Sequence, residues 1–181
     1  MLHIVYGGSA SGKSSYAESF AMSLQGEGRL LYIATMYPYK WNTTEIDPET
    51  MQRIERHRAM RADKGFDTVE CYRHVEHIVA KRQDVLLLEC MSNLLANEMY
   101  LEPDSNAGSD MAETMSPVSN KIVQALIDLS TRVQELVIVT NDVFSDGGSL
   151  TYDESTREYV KNLAEINCAL AREAATVTEV V

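Results

Sequence analysis

Residues 7–14 read Gly7-Gly8-Ser9-Ala10-Ser11-Gly12-Lys13-Ser14, behind an apolar run at 2–6 and ahead of a helix-forming stretch at 14–24. The spacing G-x-x-x-x-G-K-[ST] between a strand and a helix is that of a P-loop. It constrains the fold strongly, because the loop needs a strand behind it and a helix in front. The glycines let the backbone curl until successive N–H groups point inward. Those groups and the helix N-terminus form an anion cradle. Lys13 adds a mobile positive charge for the β- and γ-phosphates, and the Ser14 hydroxyl is placed to ligate Mg²⁺. A glycine-rich turn with an exposed lysine shares the composition but does not need this order of elements. The pattern predicts binding of a nucleoside triphosphate.

Strand and helix patterns alternate along the rest of the chain. Strands are expected at 29–34, 67–71, 84–89, 135–140 and 176–181. Helices are expected from Asp47-Pro48 to about 61, and at 75–82, 92–100, 117–134 and 154–174. Asp47 suits a helix cap and Pro48 a first turn. Residues 35–46, 102–112 and 144–150 read as loops. Asp84-Val85-Leu86-Leu87-Leu88-Glu89 is almost unbroken apolar sequence ending in an acid, as in a parallel strand buried on both faces. Repeated strand–helix units imply an α/β fold, a P-loop NTPase-like, mostly parallel sheet with helices on both faces. No repeat or linker divides the chain, so residues 1–181 read as one domain.

The 181 residues are 45% hydrophobic and 24% charged, with a formal net charge of -11. Such a chain is expected to repel nucleic acid and anionic membranes unless its basic residues are concentrated somewhere. No apolar run reaches membrane-spanning length. Met1 leads directly into an expected strand, so no signal peptide is expected. Cys71, Cys90 and Cys168 are far apart and fit no metal-ligand spacing. They read as buried thiols, and the expected location is a reducing cytoplasm.

Ligands of open α/β sheets bind at the carboxyl ends of strands. The ends here are the P-loop, Ala34-Thr35-Met36, Glu89 and Asn141-Asp142. Glu89 stands where a Walker B acid would hold Mg²⁺ or accept a proton; a strand-end acid satisfied by a helix N-terminus is the alternative. Asn141 and Asp142 could simply make a turn. Arg53, Arg56, Arg58, Arg61 and Lys64 place five of sixteen basic residues within twelve positions. Arg53, His57 and Arg61 share a helix face by their spacing. Two arginines beside a histidine make an anion site and favour a neutral, nucleophilic imidazole, which could carry a nucleotidyl group. A solvated basic face would have the same pattern. Met51, Ile54 and Met60 are expected to face the core.

Together these segments resemble the adenosylcobinamide kinase/adenosylcobinamide-phosphate guanylyltransferase family. The resemblance runs through the P-loop, Ile33-Ala34-Thr35, the helix Arg53-Ile54-Glu55-Arg56-His57-Arg58-Ala59-Met60-Arg61, and Phe66-Asp67-Thr68-Val69-Glu70. It continues in Leu87-Leu88-Glu89-Cys90, Asn93-Leu94-Leu95 and Val139-Thr140-Asn141-Asp142-Val143. The R-I-x-x-H-x-x-x-R helix is its most specific part. The resemblance implies a RecA-like fold and two activities: phosphorylation of adenosylcobinamide by ATP or GTP, then transfer of GMP from GTP to that phosphate. His57 matches the histidine that carries GMP. The implied catalytic residues are His57, Lys13 and Glu89, with Ser14 and Glu89 at Mg²⁺. The implied nucleotide contacts are Gly7, Gly8, Ser9, Ala10, Ser11, Gly12, Lys13, Ser14, Ala34, Thr35, Met36, Arg58, Ala59, Met60, Arg61, Glu70 and Glu89. The family also implies a homo-oligomer, a trimer. A kinase without the second activity and a non-catalytic nucleotide-binding regulator are the competing readings.

Overall fold

The computed structural model describes residues 1–101, 116–143 and 152–181. The loops expected at 102–112 and 144–150 lie outside the described residues. The described strands are β1 (Leu2–Gly7), β2 (Leu30–Ala34), β3 (Phe66–Glu70), β4 (Val85–Glu89), β5 (Glu135–Asn141) and β6 (Thr176–Val180). Between them run α1 (Lys13–Leu24), α2 (Pro48–Arg61), α3 (Met91–Tyr100), α4 (Pro117–Arg132) and α5 (Glu154–Glu173). The strands form one sheet in the order β3-β2-β4-β5-β1-β6, and every described pairing is parallel. The P-loop NTPase-like α/β fold expected from the sequence is the one observed.

Side-chain alternation along the strands divides the core into two layers. Val5, Leu30, Val85, Leu87, Val137 and Val139 face Ala17 and Ala21 of α1. Ile4, Leu31, Ile33, Leu86, Leu88, Leu136 and Ile138 face the other way, onto Leu94 and Leu95 of α3, Leu126 and Leu129 of α4, and Ile166 and Leu170 of α5. All five residues of β4 are buried. Truncating one of its leucines to alanine would cost about 2–5 kcal/mol, the usual range for a buried leucine.

This layering creates the crevice. The chain leaves β1 toward the α1 face and leaves β4 toward the α3 face. The two loops therefore diverge over the carboxyl end of β5, which lies between them.

Helix α2 starts as its sequence dictates. Asp47 accepts the Glu49 amide at 3.3 Å and the Thr50 hydroxyl at 2.6 Å, with Pro48 in the first turn. Its packing differs from expectation. Met60 is 55% exposed, Met51 and Ile54 are only partly covered, and the buried residue is Arg61. The helix is polar nearly all round, so it lies over the sheet's carboxyl edge instead of burying an apolar stripe. The helix expected at 75–82 shrinks to a 3-10 turn at Val75–His77; the chain then extends so that Ile78 reaches the core. Cys168 is exposed, not buried; the three thiols are free. Burial raises the Cys71 thiol to about 11.

Asp84 ties the amino end of β4 to β2. Its carboxylate is 1% exposed and accepts the Arg29 amide at 3.0 Å, the Arg29 guanidinium at 2.5 Å and the Lys81 amide at 2.8 Å. Burial alone would raise its pKa; the Arg29 side chain and the two amides outweigh burial and hold it below the usual aspartate range. A depressed carboxyl contributes stability above its unfolded pKa, near 4, and loses it as pH falls through the folded value. Asp84→Asn is expected to lower stability at neutral pH by about 1–3 kcal/mol. It should also flatten the acid limb of a urea-unfolding series below about pH 4. A variant with an unchanged acid limb would exclude this role for Asp84.

Candidate active site

The P-loop closes on two backbone requirements. Gly12 holds φ at 88°, the left-handed region that suits glycine, and caps α1. Gly7 lies so close to β6 that a Cβ there would stand 2.3 Å from the Val180 carbonyl oxygen. Lys13 opens α1, is 8% exposed, and donates to the Gly8 carbonyl at 2.8 Å. The Ser11 hydroxyl is buried in the loop without a hydrogen-bond partner. A buried hydroxyl in that state is costly, and an oxyanion seated in the loop would satisfy it.

A cleft of about 330 Å³ opens beside the loop. The P-loop side contributes Ser9, Lys13 and Ser14. The ends of β2 and β3 contribute Ala34, Met36, Glu70 and Tyr72. From β4 and the start of α3 come Glu89, Cys90, Ser92 and Asn93, and from β5 come Val139, Asn141, Asp142 and Val143. Helix α2 lines the remaining side with Arg53, Ile54, His57, Arg58 and Arg61. The three residues spaced i, i+4, i+8 thus face the same space as the P-loop lysine. Ala59 and Met60, expected among the nucleotide contacts, are exposed and do not line the cleft. Thr35 sits beneath it, fully buried.

Arg61 anchors α2. Its guanidinium lies 3.5 Å from the centroid of the Tyr32 ring, and Nη2 donates to the Thr68 hydroxyl at 3.4 Å. The Tyr32 phenol donates to Glu89 Oε2 at 3.1 Å. Burial first, then the Glu89 charge, pushes the phenol well above its ordinary pKa, so it stays a donor. Two further ion pairs hold the helix and the residues after it: Arg58 with Glu70, and Lys64 with the buried Glu18 of α1. Tyr72 donates to the second oxygen of Glu70 at 2.9 Å.

Polar bonds fix the floor. Thr35 Oγ1 accepts the Cys90 amide at 2.8 Å and donates to the Cys90 carbonyl at 3.0 Å. Asn97 donates to the carbonyls of Thr35 and Tyr72 at 2.8 and 2.9 Å. Asn141 donates to the Ser92 hydroxyl at 2.7 Å, and Tyr159 donates to the Ser92 carbonyl at 3.1 Å. Strand order β4-β5-β1 brings Asn141 to Ser92, and the sequence carries no sign of that adjacency. Tyr32 was equally hidden, as an apolar-looking residue within a buried strand.

The donor set suits Mg²⁺. The cleft offers the hydroxyl of Ser14 and the carboxylate of Glu89, one oxygen of which is engaged by Tyr32. Among the described residues no cluster of three or more His, Cys, Asp or Glu could hold a metal alone. Mg²⁺ keeps several waters and takes phosphate oxygens, so one or two protein ligands suffice. The positive groups Lys13, Arg53, Arg58 and Arg61 converge on the cleft of an acidic chain, beside the acids Glu70, Glu89 and Asp142.

Among the described residues no helix is long and apolar enough to cross a membrane. Residues 3–181 match the family described as cobinamide kinase / cobinamide phosphate guanyltransferase. The chain is 31% identical over 151 residues to the bifunctional adenosylcobalamin biosynthesis protein CobU of Escherichia coli strain K12, covering 79% of this chain and 76% of that protein. It is also 31% identical over 150 residues to the protein of the same name in Salmonella typhimurium strain LT2, with the same coverage. With its P-loop and histidine helix facing one cleft, the chain belongs to the cobinamide kinase / cobinamide phosphate guanyltransferase family.

Proposed function

We propose that the one cleft serves both reactions of this bifunctional enzyme, with His57 as the residue that carries the guanylyl group. The protein is a kinase of cobinamide and a guanylyltransferase of cobinamide phosphate, a transferase of cobalamin biosynthesis. The observation that carries the proposal is that His57 and Lys13 line the same 330 Å³ space. In the first reaction the acceptor hydroxyl oxygen attacks the γ-phosphorus of ATP or GTP, the nucleoside diphosphate leaves, and the hydroxyl proton passes to Glu89 or solvent. Lys13 and the loop amides hold the phosphate chain. Mg²⁺, bound through Ser14 and Glu89, would neutralise phosphate charge when present.

In the second reaction an imidazole nitrogen of His57 attacks the α-phosphorus of GTP, and pyrophosphate leaves. A phosphate oxygen of cobinamide phosphate then attacks the phosphoramidate, GMP moves to the acceptor, and the imidazole is released. Arg58 and Arg61 flank His57 and would stabilise the charge on the departing pyrophosphate. The loop contacts would come from Gly7, Gly8, Ser9, Ala10, Ser11 and Gly12, with Ala34, Thr35, Met36 and Glu70 on the facing side. We place the enzyme in the cytoplasm, acting as a homo-oligomer on small molecules and not on nucleic acid.

Incubation with GTP labelled at the α-phosphate, followed by intact mass, tests the histidine route. The wild type is expected to gain one GMP through an acid-labile, alkali-stable bond. His57→Ala should fold, phosphorylate cobinamide and gain no label. If that variant still makes cobinamide-GDP, the covalent route is excluded. A wild type that phosphorylates cobinamide and never labels would indicate a kinase alone.

Two further variants separate charge from shape. Lys13→Ala is expected to lower kcat/KM of both reactions by about 10²–10³-fold, as for the loss of a major transition-state contact. Glu89→Gln keeps an oxygen for Tyr32 and removes the charge. It should cut turnover by about tenfold or more while moving Tm little. A fall in Tm with turnover intact would make Glu89 a structural acid only.

A further inference from the structure

At about 330 Å³ the cleft is at the small end of ligand sites. The family's acceptor is far larger: a broad corrin macrocycle rimmed with methyl and amide groups, carrying the reactive hydroxyl on a side chain. The macrocycle must therefore rest outside the cleft while the side chain reaches in.

A second recess of about 500 Å³ lies next to it, lined by Trp41, Ala96, Tyr100, Thr156 and Tyr159. Two routes join it to the cleft. Asn93, which lines the cleft, and Ala96 and Tyr100, which line the recess, are spaced i, i+3, i+7 and share one face of α3. At 1.5 Å per residue, Asn93 and Tyr100 lie about 10 Å apart along that helix. The second route is aromatic. The Tyr72 ring lines the cleft and stands 5.4 Å from Tyr37, which stands 6.4 Å from Trp41, which stands 6.1 Å from Tyr100.

The recess is apolar despite its tyrosines, because their polar ends are engaged elsewhere. The Tyr100 hydroxyl donates to the Ser155 carbonyl at 3.1 Å, and the Tyr159 hydroxyl donates to the Ser92 carbonyl at 3.1 Å. Trp41 is nevertheless 52% exposed and Tyr100 38% exposed. Large aromatic surface left open beside a catalytic cleft marks a binding surface.

We infer that the recess walled by Trp41, Tyr100 and Tyr159 is the macrocycle subsite, where the corrin of cobinamide packs on aromatic faces with its hydroxyl-bearing arm directed along α3 into the cleft. This rests on the cobinamide activity described above. Trp41 and Tyr100 supply contact area, and Tyr159 links the recess wall to the Ser92 backbone at the cleft edge.

Trp41 is the chain's only tryptophan and reports on the recess directly. Cobinamide is titrated into the nucleotide-free protein while Trp41 emission is followed, with free N-acetyltryptophanamide correcting for absorption by the corrin. Saturable quenching beyond that control is expected. In steady-state assays, Trp41→Ala and Tyr100→Leu should each raise the KM for cobinamide about tenfold, within the range of aromatic stacking contributions. The KM for the nucleotide and GMP labelling of the protein should be unchanged, and Trp41→Phe should restore most of the loss. Two results would overturn the assignment: no quenching beyond the control, or an unaltered cobinamide KM in Trp41→Ala. Shielding of Trp41 that follows protein concentration and not cobinamide would assign the recess to a second copy and overturn it as well. Quenching by cobinamide in a protein that neither phosphorylates it nor labels with GMP would uphold the subsite and refute the catalytic reading instead.

Discussion

The contact between the Arg61 guanidinium and the Tyr32 ring decides where the basic helix lies. Arg61 is the residue of α2 that is buried, and the ring beneath it stands on a central strand whose phenol reaches Glu89. One chain of contacts thus runs from the histidine helix through β2 to the acid at the end of β4. A cation over an aromatic face contributes about 0.5–2 kcal/mol, more when desolvated. Because the helix is otherwise polar, that contact and the ion pairs to Glu70 and Glu18 position His57, with little help from apolar burial.

The sheet and the site were legible in the sequence to different depths. The P-loop, the buried β4 with its terminal acid, and the Asp47-Pro48 start of α2 each follow from local chemistry that needs no knowledge of neighbours. Ile54 and Met60 misled because an apolar residue on a helix suggests a core face, whereas α2 covers a cleft and leaves Met60 in water. Tyr32 and Asn141 were illegible as partners for a different reason. Their roles arise from strand order, and periodicity says which face a residue takes without saying which strand lies beside it. The residue pattern left His57 open between a solvated basic face and a candidate nucleophile, and the family resemblance favoured the second.

The charge distribution serves the chemistry. The chain as a whole is acidic, yet the arginines of α2 and Lys13 meet at one opening. On the proposed reading, a polyanionic nucleotide would be repelled by most of the surface and drawn to the cleft, which would focus encounter there. Glu70 and Tyr72 temper this by holding Arg58 at a fixed place. The floor of Thr35, Cys90 and Asn97 is held by hydrogen bonds that leave little room for settling of the strand ends. Preorganised positions of this kind are what phosphoryl transfer demands.

The strand that carries the P-loop pairs with β5 and β6 and with nothing nearer in sequence. During synthesis β1 emerges well ahead of β5 and β6 and has no strand partner until they follow. The Val180 carbonyl that packs against Gly7 arrives later than β5. Contacts of such long sequence separation form slowly, because loop closure precedes any stabilisation they bring. The shaped P-loop is thus a late product of folding. A nascent or truncated chain displays the whole motif and still lacks the wall that shapes it, so the loop reaches its closed form only as β6 joins the sheet.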